Sequence, residues 1–129
     1  MRRTAQRLRI LVVDDEEDMC WALRRILETE GHAPTIARSA KEALRLARQE
    51  AFDLAFVDVK LPDMDGLDLA ARLRTVSPRM PCTLLSGYLY HDDVSVQAGL
   101  SEGLIHHFIG KPFLLSEIRD ALRLAADPT

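Results

Sequence analysis

Cysteine is nearly absent: Cys20 and Cys82 are the only two in 129 residues, and no CxxC pair exists. That excludes a disulfide-stapled scaffold and argues against a zinc ribbon or finger. Both thiols sit inside otherwise regular segments and read as reduced, buried or half-buried groups of a cytoplasmic protein. No apolar run is long enough for a membrane span or the core of a signal peptide, so the basic start Arg2-Arg3-Thr4-Ala5-Gln6-Arg7 is not followed by a leader. Basic residues are not in excess either. A formal net charge of -3 disfavours a direct nucleic-acid binder, which needs a basic surface. Internal repeats, low-complexity stretches and linkers are all missing. What remains, 47% apolar and 29% charged, is the composition of one ordinary globular domain. A chain of this length buries roughly two-thirds of its unfolded surface.

The apolar pattern alternates between two periods. Arg9 to Val13 is aliphatic and β-branched, as a strand buried on both faces requires. Met19, Ala22, Leu23, Ile26 and Leu27 then recur at helical spacing between Glu16 and Glu30, with acids at the start and Gly31 as the stop. Ala33 to Ala37 predicts a short strand. Ser39 predicts a helix cap, with Glu42 three residues on completing a capping box for a helix through Gln49. Asp53 to Asp58 is the third strand, and Leu61-Pro62-Asp63-Met64-Asp65-Gly66 is a turn-rich loop. Leu67 to Val76 is a third helix, ended by Ser77-Pro78. Met80 to Ser86 is a strand, His91 to Glu102 a weaker helix stopped by Gly103, His106 to Ile109 the last strand, and Leu114 to Ala126 the last helix. Five β-α units at this spacing imply a parallel sheet covered by helices on both faces.

Chemistry collects where the strands end. LRILVVDD runs from Leu8 into Asp14 and Asp15, and FDLAFVD from Phe52 into Asp58. Thr83-Leu84-Leu85 ends in the Ser86 hydroxyl, and His107-Phe108-Ile109-Gly110 ends in Lys111-Pro112. In an open parallel sheet the functional crevice lies beyond those carboxyl ends. Three carboxylates, a hydroxyl and an ammonium at one edge suit a divalent metal and a transferred phosphoryl group.

In this order, these motifs resemble the receiver domain of bacterial two-component response regulators, over about Arg9 to Leu124. The acidic pair is Asp14-Asp15, and the acceptor with its loop is Asp58-Val59-Lys60-Leu61-Pro62-Asp63-Met64-Asp65-Gly66. Ser86 stands at the family's Ser/Thr position and Lys111-Pro112-Phe113 at its lysine-proline motif. The resemblance implies a flavodoxin-like, doubly wound five-stranded parallel sheet of order 2-1-3-4-5, occupying residues 8–126 after a flexible basic tail at 1–7. It implies phosphoryl transfer to Asp58 from a sensor histidine kinase or histidine phosphotransfer protein, with Mg²⁺ as cofactor. Asp15 and Asp58 would bind the ion directly, Asp14 chiefly through water, and Lys60 through its main-chain carbonyl. Ser86 and Lys111 would contact the phosphoryl oxygens, Phe108 would be the aromatic switch moving inward with Ser86, and the Lys111-Pro112 bond would be cis. A homodimer through the fourth helix, fifth strand and fifth helix is a further implication. The protein would be a phosphorylation-controlled switch rather than an enzyme, apart from its own phosphorylation and slow hydrolysis. One stretch departs from the usual pattern: Ala98 to His107 is longer than the common alanine-glycine-alanine segment.

The cluster makes physical sense only with a cation. Two carboxylates about 4 Å apart repel by about 4 kcal/mol at an effective dielectric near 20. Mg²⁺, a hard ion that takes carboxylates and phosphate oxygens, relieves that repulsion. Plainer readings exist for each residue. Asp14 or Asp15 could cap the first helix, Ser86 could be a turn residue before Gly87, and Lys111 a solvated lysine. Tyr88 reads either as a shield over an acyl phosphate or as an exposed loop residue. Trp21 falls opposite the core-facing positions of the first helix, as a partner hot spot or an isolated exposed aromatic. His106 and His107 read as loop histidines, too few for a metal site. An aspartyl-phosphate phosphatase would carry DxD on the nucleophile strand, where this chain has Lys60 two residues after Asp58. A binding-only pseudo-receiver would have lost an acidic or lysine position, and none is lost.

Overall fold

The computed structural model describes residues 7–87 and 94–126. Ten elements alternate along it: β1 Arg9–Val13, α1 Glu17–Thr29, β2 Ala33–Ala37, α2 Ala40–Gln49, β3 Leu54–Asp58, α3 Gly66–Val76, β4 Cys82–Ser86, α4 Val94–Ser101, β5 His107–Gly110 and α5 Leu115–Ala126. The strands form one parallel sheet in the order β2-β1-β3-β4-β5. The expected doubly wound sheet is therefore observed.

Both faces of the sheet are covered, which is why its strands lack a polar face. Leu11 and Val13 of β1, Ala55 and Val57 of β3, and Leu84 of β4 pack with α2, α3 and α4. Their neighbours Ile10, Val12, Leu54, Phe56 and Leu85 pack with Leu23 and Leu27 of α1 and Ile118 and Leu122 of α5. Burying one such side chain contributes about 1.5–3 kcal/mol.

Boundaries differ from the sequence expectation for local reasons. β3 starts at Leu54, because Asp53 uses its carboxylate to accept the Arg9 N–H at 2.8 Å. Pro81 has no N–H and the Met80 amide turns back to Ser77, so β4 starts at Cys82. In α1 the buried positions are Cys20, Leu23 and Leu27, while Met19 is only half-buried. α4 closes at Gly103, whose φ of 74° few side chains tolerate. Its expected start at His91 falls outside the described residues, as does the tail before Arg7.

α2 begins with more hydrogen bonding than a capping box supplies. Ser39 Oγ accepts the Glu42 N–H at 3.1 Å as expected. The Glu42 carboxylate, however, accepts from Arg38 at 2.7 Å rather than from Ser39. A second carboxylate, Asp63 from the β3–α3 loop, accepts from Ala40 and Lys41 at 2.9 and 3.0 Å. Replacing Ser39 by Ala removes one cap acceptor of several, and a loss of about 1 kcal/mol is expected in urea denaturation.

Candidate functional site

The strand order reverses between β1 and β3, and the site lies where those two strands separate. Val13 pairs with Val57, so the residues that follow, Asp14 and Asp58, emerge side by side. β4 and β5 end in step, Ser86 opposite Gly110, and the Lys111 N–H donates to the Ser86 carbonyl at 2.8 Å. That register places Lys111 against the two aspartates rather than in solvent.

Asp14 is 0% and Asp58 8% exposed, whereas Asp15 is open to a cleft of about 640 Å³ that also exposes Lys60 and Lys111. One oxygen from each of the three carboxylates lies within 4.8 Å of the others. Lys111 Nζ donates to Asp14 Oδ2 at 2.9 Å and sits 3.3 Å from Asp58 Oδ1 and 3.6 Å from Glu16 Oε1. The other Asp14 oxygen accepts the Glu16 N–H at 2.9 Å, so Asp14 does serve the start of α1 as well. Ser86 is buried at the end of β4. The Lys111-Pro112 peptide bond is cis.

Burial is the first cause that pushes the Asp58 carboxyl up to about 6, and the neighbouring Asp14 charge adds to it. Lys111 and the Lys60 main-chain N–H, both bonded to Asp58, pull the other way without prevailing. Burial alone would lower the Lys111 ammonium, but the Asp14 hydrogen bond and the charges of Asp14 and Asp58 hold it above the ordinary lysine value. A group of carboxylates this crowded, with one ammonium shared among them, is short of positive charge. A donor set of three clustered carboxylate oxygens is that of a hard divalent cation.

The remaining sequence candidates divide. Phe108 is 5% exposed and lies in the same core cluster as Val96 and Ile105, so its ring is already inside. Trp21 is 63% exposed on α1, with the Arg25 guanidinium 5.3 Å from its ring centre. His106 Nδ1 accepts the Cys82 N–H at 3.3 Å, and His107 Nδ1 is buried without a partner among the described residues. Cys20 and Cys82 are free and buried. Tyr88 lies outside the described residues. Met19, read as a core position, is half-buried against the core on the α1 side and also lines the rim of the cleft. Asp63, which the sequence marked only as a turn residue, ties the loop after Asp58 to α2.

Residues 10–123 match the family model of the response regulator receiver domain. The chain belongs to that family, whose members are phosphorylated on aspartate and work as phosphorylation-controlled switches. It is 30% identical over 115 residues to the sporulation initiation phosphotransferase F of Bacillus subtilis, covering 89% of this chain and 90% of that protein. It is 35% identical over 117 residues to the response regulator MprA of Mycolicibacterium vanbaalenii, covering 90% of this chain but 49% of that one, so it spans about half of that relative. Among solved structures it resembles a Burkholderia pseudomallei response regulator with a phosphorylated aspartic acid, calcium ion and citrate, at TM-score 0.79 and 30% identity, covering 94% of this chain and 70% of that one. Receiver domains generally bind Mg²⁺ at an acidic cluster and take their phosphoryl group from histidine kinases or phosphotransfer proteins. Among the described residues no helix is long and apolar enough to cross a membrane.

Proposed function

We propose that this chain accepts a phosphoryl group on Asp58 from a phosphohistidine and uses the new charge to reset the surface around Ser86 and Phe108. The observation that carries the reading is the shared ammonium. Lys111 lies 2.9 Å from one carboxylate and 3.3 Å from the next, at the mouth of a cleft that a donor can enter. An Asp58 oxygen attacks phosphorus, the P–N bond to the donor imidazole breaks, and its electron pair stays on nitrogen. The product is an aspartyl phosphate. Lys111 neutralises one phosphoryl oxygen, and the Ser86 hydroxyl donates to another. Transfer of this kind is mostly positioning and charge stabilisation.

Mg²⁺, when bound, supplies the positive charge that lets an anionic phosphoryl group approach an anionic acceptor. Asp15, Asp58 and the Lys60 carbonyl would hold it directly. Asp14 already accepts from Glu16 and Lys111, which suits a part played through water. The phosphorylated aspartate and calcium ion in the Burkholderia relative support both halves of this reading.

With Phe108 already buried, phosphorylation on this reading holds the ring inside rather than drawing it in. The readout would be a stiffer surface along α4, β5 and α5, which is also the proposed homodimer face. The chain is then a cytoplasmic switch with self-phosphorylation and slow self-dephosphorylation, and residues 8–126 form its working unit.

Intact mass after incubation with Mg²⁺ and a small acyl-phosphate donor tests the acceptor. One added phosphoryl group in the parent and none in Asp58→Ala is expected. A parent that gains none, and fails to bind beryllium fluoride while folded, would overturn the proposal.

A further inference from the structure

Two carboxylates near the α3 end of the β3–α3 loop serve different helices. Asp65 Oδ1 accepts the Leu67 N–H at 2.8 Å and so starts α3. Asp63 reaches the other way, its two oxygens accepting from Ala40 and Lys41 at the start of α2. Between the Asp58 carboxylate and this tether stand only Val59 to Pro62, with Leu61 buried beneath them. Lys60 is the critical member: its N–H donates to the Asp58 carboxylate, and it forms a bridge with Asp65.

Within α2 itself Ser39 serves Glu42 and Glu42 serves Arg38, so the bonds from Ala40, which is buried, and Lys41, which is exposed, are the ones that reach out to the loop. Asp63 is itself exposed, so its bonds add modestly to overall stability. What the double bond restricts is the loop. A single acceptor would leave the loop free to pivot; two oxygens on adjacent N–H groups fix direction as well as distance. Those two N–H groups hold the Asp63 carboxyl below the usual carboxylate pKa range, so it stays ionised, and a negative charge at a helix start is favoured by the helix dipole.

We propose that Asp63 is a positioning residue for the divalent cation, tethering the loop to α2 so that the Lys60 main chain is already set in its ligand conformation. The inference rests on the Mg²⁺ reading given above. Asp63 touches neither the ion nor the phosphoryl group and acts through Lys60. Groups that orient metal ligands without binding the metal typically influence affinity tenfold or more.

Mg²⁺ titrations followed on the backbone amides of Asp15, Asp58 and Lys60 by NMR separate this role from simple helix capping. In Asp63→Ala the Mg²⁺ Kd is expected to rise about tenfold. Ser39→Ala, which weakens the same helix end but leaves the loop tethered, is expected to keep the parent Kd within about twofold. Asp63→Asn retains one acceptor and should fall between them. In phosphorylation by a small acyl phosphate, Asp63→Ala should need about tenfold more Mg²⁺ for half-maximal rate and reach the parent rate at saturation. Equal Kd values in the parent and Asp63→Ala, or equal rises in Asp63→Ala and Ser39→Ala, would overturn the proposal. A parent that shows no Mg²⁺-dependent shift would instead remove the cation reading beneath it, a result recognisable because every variant would then be silent.

Discussion

Without divalent cation at pH 8, Asp58→Asn is expected to be more stable than the parent by about 3 kcal/mol. The side chain proposed as the acceptor is a burden on the fold. Its carboxyl is pushed from 3.8 to about 6, first by burial and then by the Asp14 charge. At about 1.4 kcal/mol per pH unit, that is about 3 kcal/mol held against the ionised form. The sign follows from proton counting. Between 3.8 and 6 the folded protein keeps the Asp58 proton that the unfolded chain has released, so stability falls as pH rises through this window. The cost is complete above the folded value and absent well below 3.8. Asparagine is nearly isosteric and never ionises, so its advantage should grow from roughly half of its full size at pH 5 to the full amount at pH 8. Mg²⁺ should shrink the difference, because binding to the folded parent adds stability that the variant gains less of. Urea denaturation at pH 5, 6, 7 and 8, with and without Mg²⁺, measures both effects. A difference that is constant with pH, or a variant less stable than the parent at pH 8, would show that Lys111 compensates Asp58 fully.

On the proposed function, that burden is part of how the site would work. Lys111 cannot satisfy Asp14, Asp58 and Glu16 together, and the shortest of its contacts goes to Asp14. Asp58 is left underpaired beside an open cleft, which is the condition in which a cation and a phosphoryl group gain most by arriving.

Much of this could be read in the residues. Alternating periods gave the five β-α units, and the parallel sheet that follows from them brings Asp14, Asp58, Ser86 and Lys111 to one edge through strand register alone. Their chemistry is legible because each stands directly after an apolar run. What was not legible depends on contacts between distant segments. Asp63 reads as one more polar residue in a turn, and its partners lie 22 and 23 residues upstream, on a helix whose local signals already accounted for its cap. Glu42 matched the capping-box spacing, yet its carboxylate went one residue further, to Arg38. Alternation along β5 assigns Phe108 to the α4 side, but whether its ring lies in the core or outside depends on the room left by Val96 and Ile105. Met19 met the helical period and does pack against the core, but the period alone could not show that its other side lines the cleft.

Gly66→Ala is expected to cost roughly 3 kcal/mol or more and to slow phosphorylation at least tenfold. A Cβ at this position would stand 2.3 Å from the Asp58 carbonyl oxygen and 2.8 Å from the Val59 Cα. Both neighbours are backbone, so neither can rotate away. Moving α3 outward would stretch the 2.6 Å bond from the Gly66 N–H to the Val59 carbonyl, and the helix carries Leu69, Ala70 and Leu73 in the core. Moving β3 instead would disturb the 2.9 Å bond from the Val59 N–H to the Leu85 carbonyl. Either relief displaces the main chain of the acceptor residue itself, and misplacement of a reacting group by about 1 Å can cost on the order of a hundredfold in rate. Gly110→Ala is the matched control. Its added Cβ would meet nothing nearer than the Ser86 carbonyl oxygen at 3.9 Å, so stability should stay within about 0.5 kcal/mol of the parent. Urea midpoints for both variants, and phosphorylation rates at a temperature where Gly66→Ala remains folded, decide the matter. If Gly66→Ala matched Gly110→Ala in stability, the close packing of α3 on the end of β3 would be refuted. If it lost stability but kept the parent rate, the acceptor would be shown to tolerate movement of its own backbone, and the tight β3–α3 junction would serve folding alone.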